Sequence, residues 1–173
     1  MPFALYDATV ANYLQTLSGV TGFLEMARAH FADAGVDVEK LLDERLAPDM
    51  LPLRIQIAAL VHHARGAIAA AKSGDFYPPK PSDANFAALQ ALVTMAHDEL
   101  AAMPRDSIDA LAGRDVTFHL GDRKLPFTTE NFLMSFSLPN FYFHATTAYD
   151  ILRHKGAPLG KRDFLGALRM KKL

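Results

Sequence analysis

The sequence predicts an all-α protein: four long helices packed as a bundle, with a small β-hairpin in the connection before the last helix. Three observations carry this. Apolar residues recur at three- and four-residue steps through four long stretches. Glycine and proline punctuate the chain between those stretches. One segment only, Arg114 to Phe127, alternates apolar and polar residues in the period of a strand.

The first helix is expected from Asp7 to Ala34, with Asp7 or Thr9 as its cap and Gly35 as its end. Val10, Tyr13, Leu14, Leu17, Thr21, Leu24 and Phe31 form its apolar stripe. Gly19 and Gly22 lie inside it, each at a cost of up to ~1 kcal/mol against alanine, so something must pack closely there. A short extra turn is expected between Asp37 and Leu46. The second helix is expected from Asp49 to Lys72, with Pro52 in its first turn. It has two apolar faces. Leu53, Ile57, Leu60, Val61, Ala64, Ile68 and Ala71 make one; Ile55, Ala59, Gly66, Ala69 and Ala70 make the other. The second face suits a partner subunit or another helix, and His62 and His63 border it.

The stretch "FYPPKPSD" reads as an extended link, and Ser82 or Asp83 as the cap of a third helix ending at Pro104. "DVTFHL", the turn Gly121-Asp122 and "RKLPF" make the hairpin. Pro139 fits the first turn of the fourth helix, or kinks a longer one beginning near Thr128; Gly156 is its C′ residue.

The chain is 173 residues long, half of them hydrophobic, which suits one domain, 1–173, with a substantial core. It has no cysteine, so disulfides, thiolate metal sites and cysteine nucleophiles are excluded. No apolar run is long enough to span a membrane and no signal peptide is recognisable, so a cytoplasmic location is expected. Residues 1–50 hold three Lys/Arg against eight Asp/Glu, while residues 153–173 hold seven against one. Nucleic-acid motifs are absent, so the basic end is expected to be solvated or paired with the acidic first third or a partner, and no nucleic-acid partner is expected.

The most aromatic stretch is "LPNFYFHATTAYDILRHKG". Phe141, Ala145, Ala148, Ile151 and Leu152 share one helix face, and His144 lies about 70° from its centre, bordering the core. His144, Thr147 and Tyr149 are the candidate pocket residues. A buried histidine beside a hydroxyl or carboxylate is a usable general base, but Asp150 lies about 120° around the helix from His144. A hydrogen-bonded structural histidine is the commoner outcome. The chain has no G-x-S-x-G elbow, Gly-rich phosphate loop or H-E-x-x-H.

The segment "LPNFYFHATTAYDILRHKGAPLGKRDFLG" resembles the C-terminal signature of a bacterial family of unknown function in the DinB-like superfamily, and "YDATVANYLQTLSGVTGFLEMA" and "LPLRIQIAALVHHARGAIAAAKSG" fit the same family. The resemblance implies a DinB-like four-helix bundle of up-down-down-up order and a homodimer. It also implies a divalent metal (Zn, Ni or Fe) held by one histidine on the second helix and an H-x-x-x-H pair on the fourth. Some relatives are thiol-dependent transferases or isomerases. His144, with His62 or His63, matches part of that ligand set, and His119 on the hairpin is a remote addition. Four residues after His144 stands Ala148, which cannot ligate. The expectation is therefore a small-molecule-binding bundle with a degenerate metal site. Its alternatives are a metal-dependent, thiol transferase-like enzyme and a non-catalytic interaction or stress protein with a docking basic tail.

Overall fold

The structure is a computed structural model, and it describes residues 4–171. The protein is mostly helical, with a small three-stranded sheet. The chain runs α1 (Leu5–Ala8), α2 (Val10–Asp33), α3 (Val38–Leu41) and α4 (Leu53–Val61). A π-helical turn, π1 (His62–Gly66), then joins α4 to α5 (Ala67–Ser73) without a break. There follow β1 (Asp75–Phe76), α6 (Phe86–Ala101), α7 (Arg105–Asp109), β2 (Asp115–Leu120) and β3 (Arg123–Thr128). The last long helix is α8 (Thr129–Asn131), a second π segment, π2 (Phe132–Ser137), and α9 (Leu138–His154), with α10 (Lys161–Leu165) after it. Four long helical segments thus pack around one core: α2 against α6 and α9, and α4 against α6 and α9. Among the described residues no helix is long and apolar enough to cross a membrane.

The apolar stripes become the core. Val10, Tyr13, Leu17 and Leu24 are fully buried, joined by Val20, Phe23 and Ala27. The helix starts differ from expectation. Thr9 does not cap α2: its hydroxyl donates to Leu5 O (2.6 Å), and Asp7 pairs with Arg105 (2.6 Å). Neither Ser82 nor Asp83 caps α6; Asn85 does, its side-chain oxygen accepting from the N–H of Ala88 (2.8 Å). The second helix starts at Leu53, with Pro52 as its N-cap, four residues later than read from Asp49.

The hairpin forms in the expected place, with Asp115 opposite Thr128 and Leu120 opposite Arg123. It is not alone. Asp75, just past the expected end of the second helix, and Phe76, read as the start of the link, pair in parallel with Thr117 and Phe118. Two-residue strands carry no sequence period, so only the tertiary fold could reveal this one. The last helix takes the longer of its two expected forms, and its widened turns end two residues before Pro139, which has no N–H to donate.

The C-terminal segment explains one glycine and not the other. A Cβ on Gly19 would lie 2.5 Å from the carbonyl oxygen of Phe164, because α10 packs backbone to backbone on α2. Gln15 Nε2 donates to Leu165 O (3.0 Å) beside it. A Cβ on Gly22 would meet nothing within 4 Å. Gly22→Ala is therefore expected to stabilise by up to ~1 kcal/mol. Gly19→Ala is expected to push α10 off and to speed tryptic cleavage after Lys161 and Arg162. Limited proteolysis of the two variants side by side checks the contrast; equal cleavage rates would refute it. The basic end is in part turned inward: Lys155 pairs with Glu44 (2.6 Å) and Arg169 donates to Asn12 (2.5 Å). Lys172 and Leu173 lie outside the described residues.

Candidate functional site

The two π segments come together where the His63 ring lies 5.6 Å from that of Phe136. A π turn inserts a residue into the helical ladder and redirects the side chains on it, and such turns recur at functional sites. Here it puts His62 and His63 on different neighbours. The carbonyl of His63 accepts a hydrogen bond from the Ser137 hydroxyl, at the end of π2. Ser137 Oγ in turn accepts from the hydroxyl of Tyr13 (2.8 Å), since its own proton is engaged. Burial pushes the Tyr13 phenol up, so it stays a neutral donor. A buried three-residue relay from α2 to π2 to π1 thus sets the helix that carries the histidines.

His63 is 6% exposed. Its ring lies 5.6 Å from those of Phe76, Phe136 and His144, at 19° to the plane of His144. Its Nδ1 is buried and, among the described residues, has no hydrogen-bond partner. His144 is fixed more firmly. Gln56, 1% exposed, donates from Nε2 to Leu51 O (2.8 Å), so its Oε1 faces His144 Nδ1 at 2.7 Å. The carbonyl oxygen can only accept, so Nδ1 carries the proton and Nε2 keeps its lone pair. Burial holds both imidazoles neutral. His63 falls to about 3, through burial first and then the neighbouring His144 and His62; His144 falls to about 4 through burial.

His62 turns the other way. Its Nε2–H donates to Tyr77 O (2.7 Å), and its ring stacks on Phe76 at 4.5 Å. Nδ1 of that ring lies 3.0 Å from where a Cβ on Gly66 would stand. His119 stacks on the Tyr77 ring at 4.6 Å and meets Asp75 at 2.6 Å. These two histidines clamp the start of the proline-rich link.

Of the expected site residues, the structure brings His63 and His144 together, keeps the His62 ring 5.7 Å from that of His63 but hydrogen-bonded elsewhere, and leaves His119, Thr147 and Tyr149 apart. His62 and His119 hold Tyr77 instead. Thr147 is buried, its hydroxyl donating to Phe143 O of its own helix (2.8 Å). Tyr149 packs on Phe23 and Phe164, about 140° around the helix from His144. Gln56, Ser137 and Phe76 went unread. For Gln56 a signal existed, an amide one residue from the main apolar stripe of the second helix. For the π turns none did.

A catalytic divalent metal needs about three protein ligands and an open position. The donors present do not fit that requirement. His63 and His144 supply two imidazoles, Gln56 engages one nitrogen of His144, and Ala148 is fully buried against the core. Among the described residues no group of three or more His, Cys, Asp or Glu side chains could hold an ion.

Comparison with known proteins agrees with the resemblance read in the sequence. The family model "Domain of unknown function (DUF1993)" matches residues 5–165. A crystal structure of a DinB family member protein from Shewanella denitrificans is similar over 98% of this chain and 96% of that one, at 29% identity and a TM-score of 0.79. No curated protein matches. Signature, fold and match together show that the chain belongs to the DUF1993 domain family, within the DinB-like superfamily.

Proposed function

We propose that this protein is a small-molecule-binding four-helix bundle of up-down-down-up order, in which the superfamily metal centre has degenerated to a pair of neutral imidazoles. The observation that carries the reading is the unpartnered Nδ1 of His63, buried beside His144. Leaving a buried polar atom unpaired costs about 1–3 kcal/mol, which a ligand donor or acceptor would offset. Gln56 presets one tautomer of His144, so the pair offers fixed hydrogen-bonding groups among the rings of Phe76 and Phe136. Binding is favoured over acid–base chemistry because an effective general base titrates near the working pH. Imidazoles at about 3 and about 4 lie well below it. Homodimerisation and a cytoplasmic location belong to the same proposal; the proline link already roofs part of the small-residue face of the second helix.

Ligand-observed NMR with a set of small amides, alcohols and carboxylates tests this. Hits are expected that His63→Phe and His144→Phe each abolish. Elemental analysis of untagged protein is expected to give substoichiometric metal in every preparation. A stoichiometric ion lost in His144→Ala would replace this reading with the metal-dependent, thiol transferase-like enzyme.

A further inference from the structure

On the far side of π1 from His63 lies a recess of about 350 Å³ between the helix and the proline link. Its size is within the ~300–1,000 Å³ of small-ligand sites. A second recess of about 420 Å³ adjoins it, sharing His62, Gly66, Ala69, Pro79 and Lys80. The polar side chains of the first recess are mainly donors. Arg65 is held at Nε by Glu99 (2.6 Å), which leaves its terminal NH2 groups available. Lys80 makes no ion pair among the described residues. Ser82 Oγ accepts from Ala84 N (3.3 Å), so its proton is available to donate. Among the described residues no carboxylate lines this recess, and Asp75 in the adjoining one is bound to His119. His62, whose Nε2–H is given to Tyr77 O, keeps Nδ1 as an acceptor, and the rest of the lining, Val61, Ala69 and Leu92 among it, is apolar.

We propose that this recess binds a short amphipathic carboxylate, its head held by Arg65, Lys80 and Ser82 and its hydrocarbon body against Val61, Ala69 and Leu92. His62 lies over Gly66, where a Cβ would meet the ring, and the missing side chain keeps the floor low. The site is separate from the His63–His144 pair and goes beyond the reading above.

The test is a titration with octanoate, 1-octanol and octylammonium, followed on backbone amide resonances. Octanoate is expected to shift residues 61–69, Lys80 and Ser82 saturably and to bind about fivefold more tightly than octanol, as one partly exposed ion pair allows. Octylammonium is expected to bind more weakly than octanol. Lys80→Glu is expected to bring octanoate down to octanol or below, and Ala69→Phe to remove binding of all three. Equal affinity for octanoate and octanol, no saturable shift, or octanoate binding unchanged in Lys80→Glu would overturn the proposal. Should Ala69→Phe fail to fold, Lys80→Glu, a surface change, decides. His63→Phe is expected to leave octanoate binding intact, so the two proposals fail separately.

Discussion

Phe76→Ala is expected to destabilise the protein by about 3–5 kcal/mol, the usual range for deleting a buried aromatic side chain. Phe76 is 3% exposed. It stacks on His62 at 4.5 Å and meets His63, Phe118 and Phe132 between 5.0 and 5.7 Å. It is also half of β1, whose pairing with β2 ties the link to the hairpin. Its loss would open a cavity shared by the helices and the sheet, which neither side can close alone. The His62 bond to Tyr77 would loosen with it. Urea denaturation with an unchanged slope and a lower midpoint measures the effect. A loss below about 1 kcal/mol would mean that the aromatic cluster repacks around the hole.

Stability is expected to fall as pH drops below 6.5, before the carboxylates of the fold begin to titrate. In the unfolded chain His63 and His144 take up protons near 6.5; in the folded chain they do so only at about 3 and about 4. Between those values the unfolded state binds more protons, so acid favours it. The contribution is complete above 6.5 and is lost progressively as pH falls toward the folded values. His62 is lowered too, by burial, and adds to the same slope. Urea midpoints measured from pH 8 down to 4.5 should decline, and the double variant His63→Phe/His144→Phe should flatten most of the decline. At pH 7 its two changes oppose each other: it removes the unpaired nitrogen of His63 but leaves the buried Gln56 Oε1 without its donor, so a net change near zero is expected. A decline of the same steepness in the variant would assign the acid sensitivity elsewhere.

Where sequence and structure agree, the agreement has a local cause. The stripe of α2, its stop at Gly35 and the two-residue turn at Gly121-Asp122 depend on residues within a few positions of one another, and period or turn chemistry reports them directly. The left-handed conformation of Gly35, φ 69°, is of the same kind. The sequence by itself determined the helical architecture, the place of the hairpin, the family signature and the gap at Ala148. It also put His144 at the edge of the core.

Only the tertiary structure decided which histidine does what. His62 and His63 are neighbours in the chain, and a regular helix would point them about 100° apart with nothing to say which meets α9. The π turn, the Ser137 hydroxyl on the His63 carbonyl and the Tyr77 carbonyl on His62 settle it. Each of those contacts joins groups far apart in sequence, or rests on one extra residue in a turn, so no periodicity encodes it. The same holds for Gln56 meeting His144 across 88 positions and for Gly19 receiving the C-terminal segment. Local propensity fixes where the helices run; packing between distant elements fixes which polar atoms find a partner and which, like Nδ1 of His63, do not.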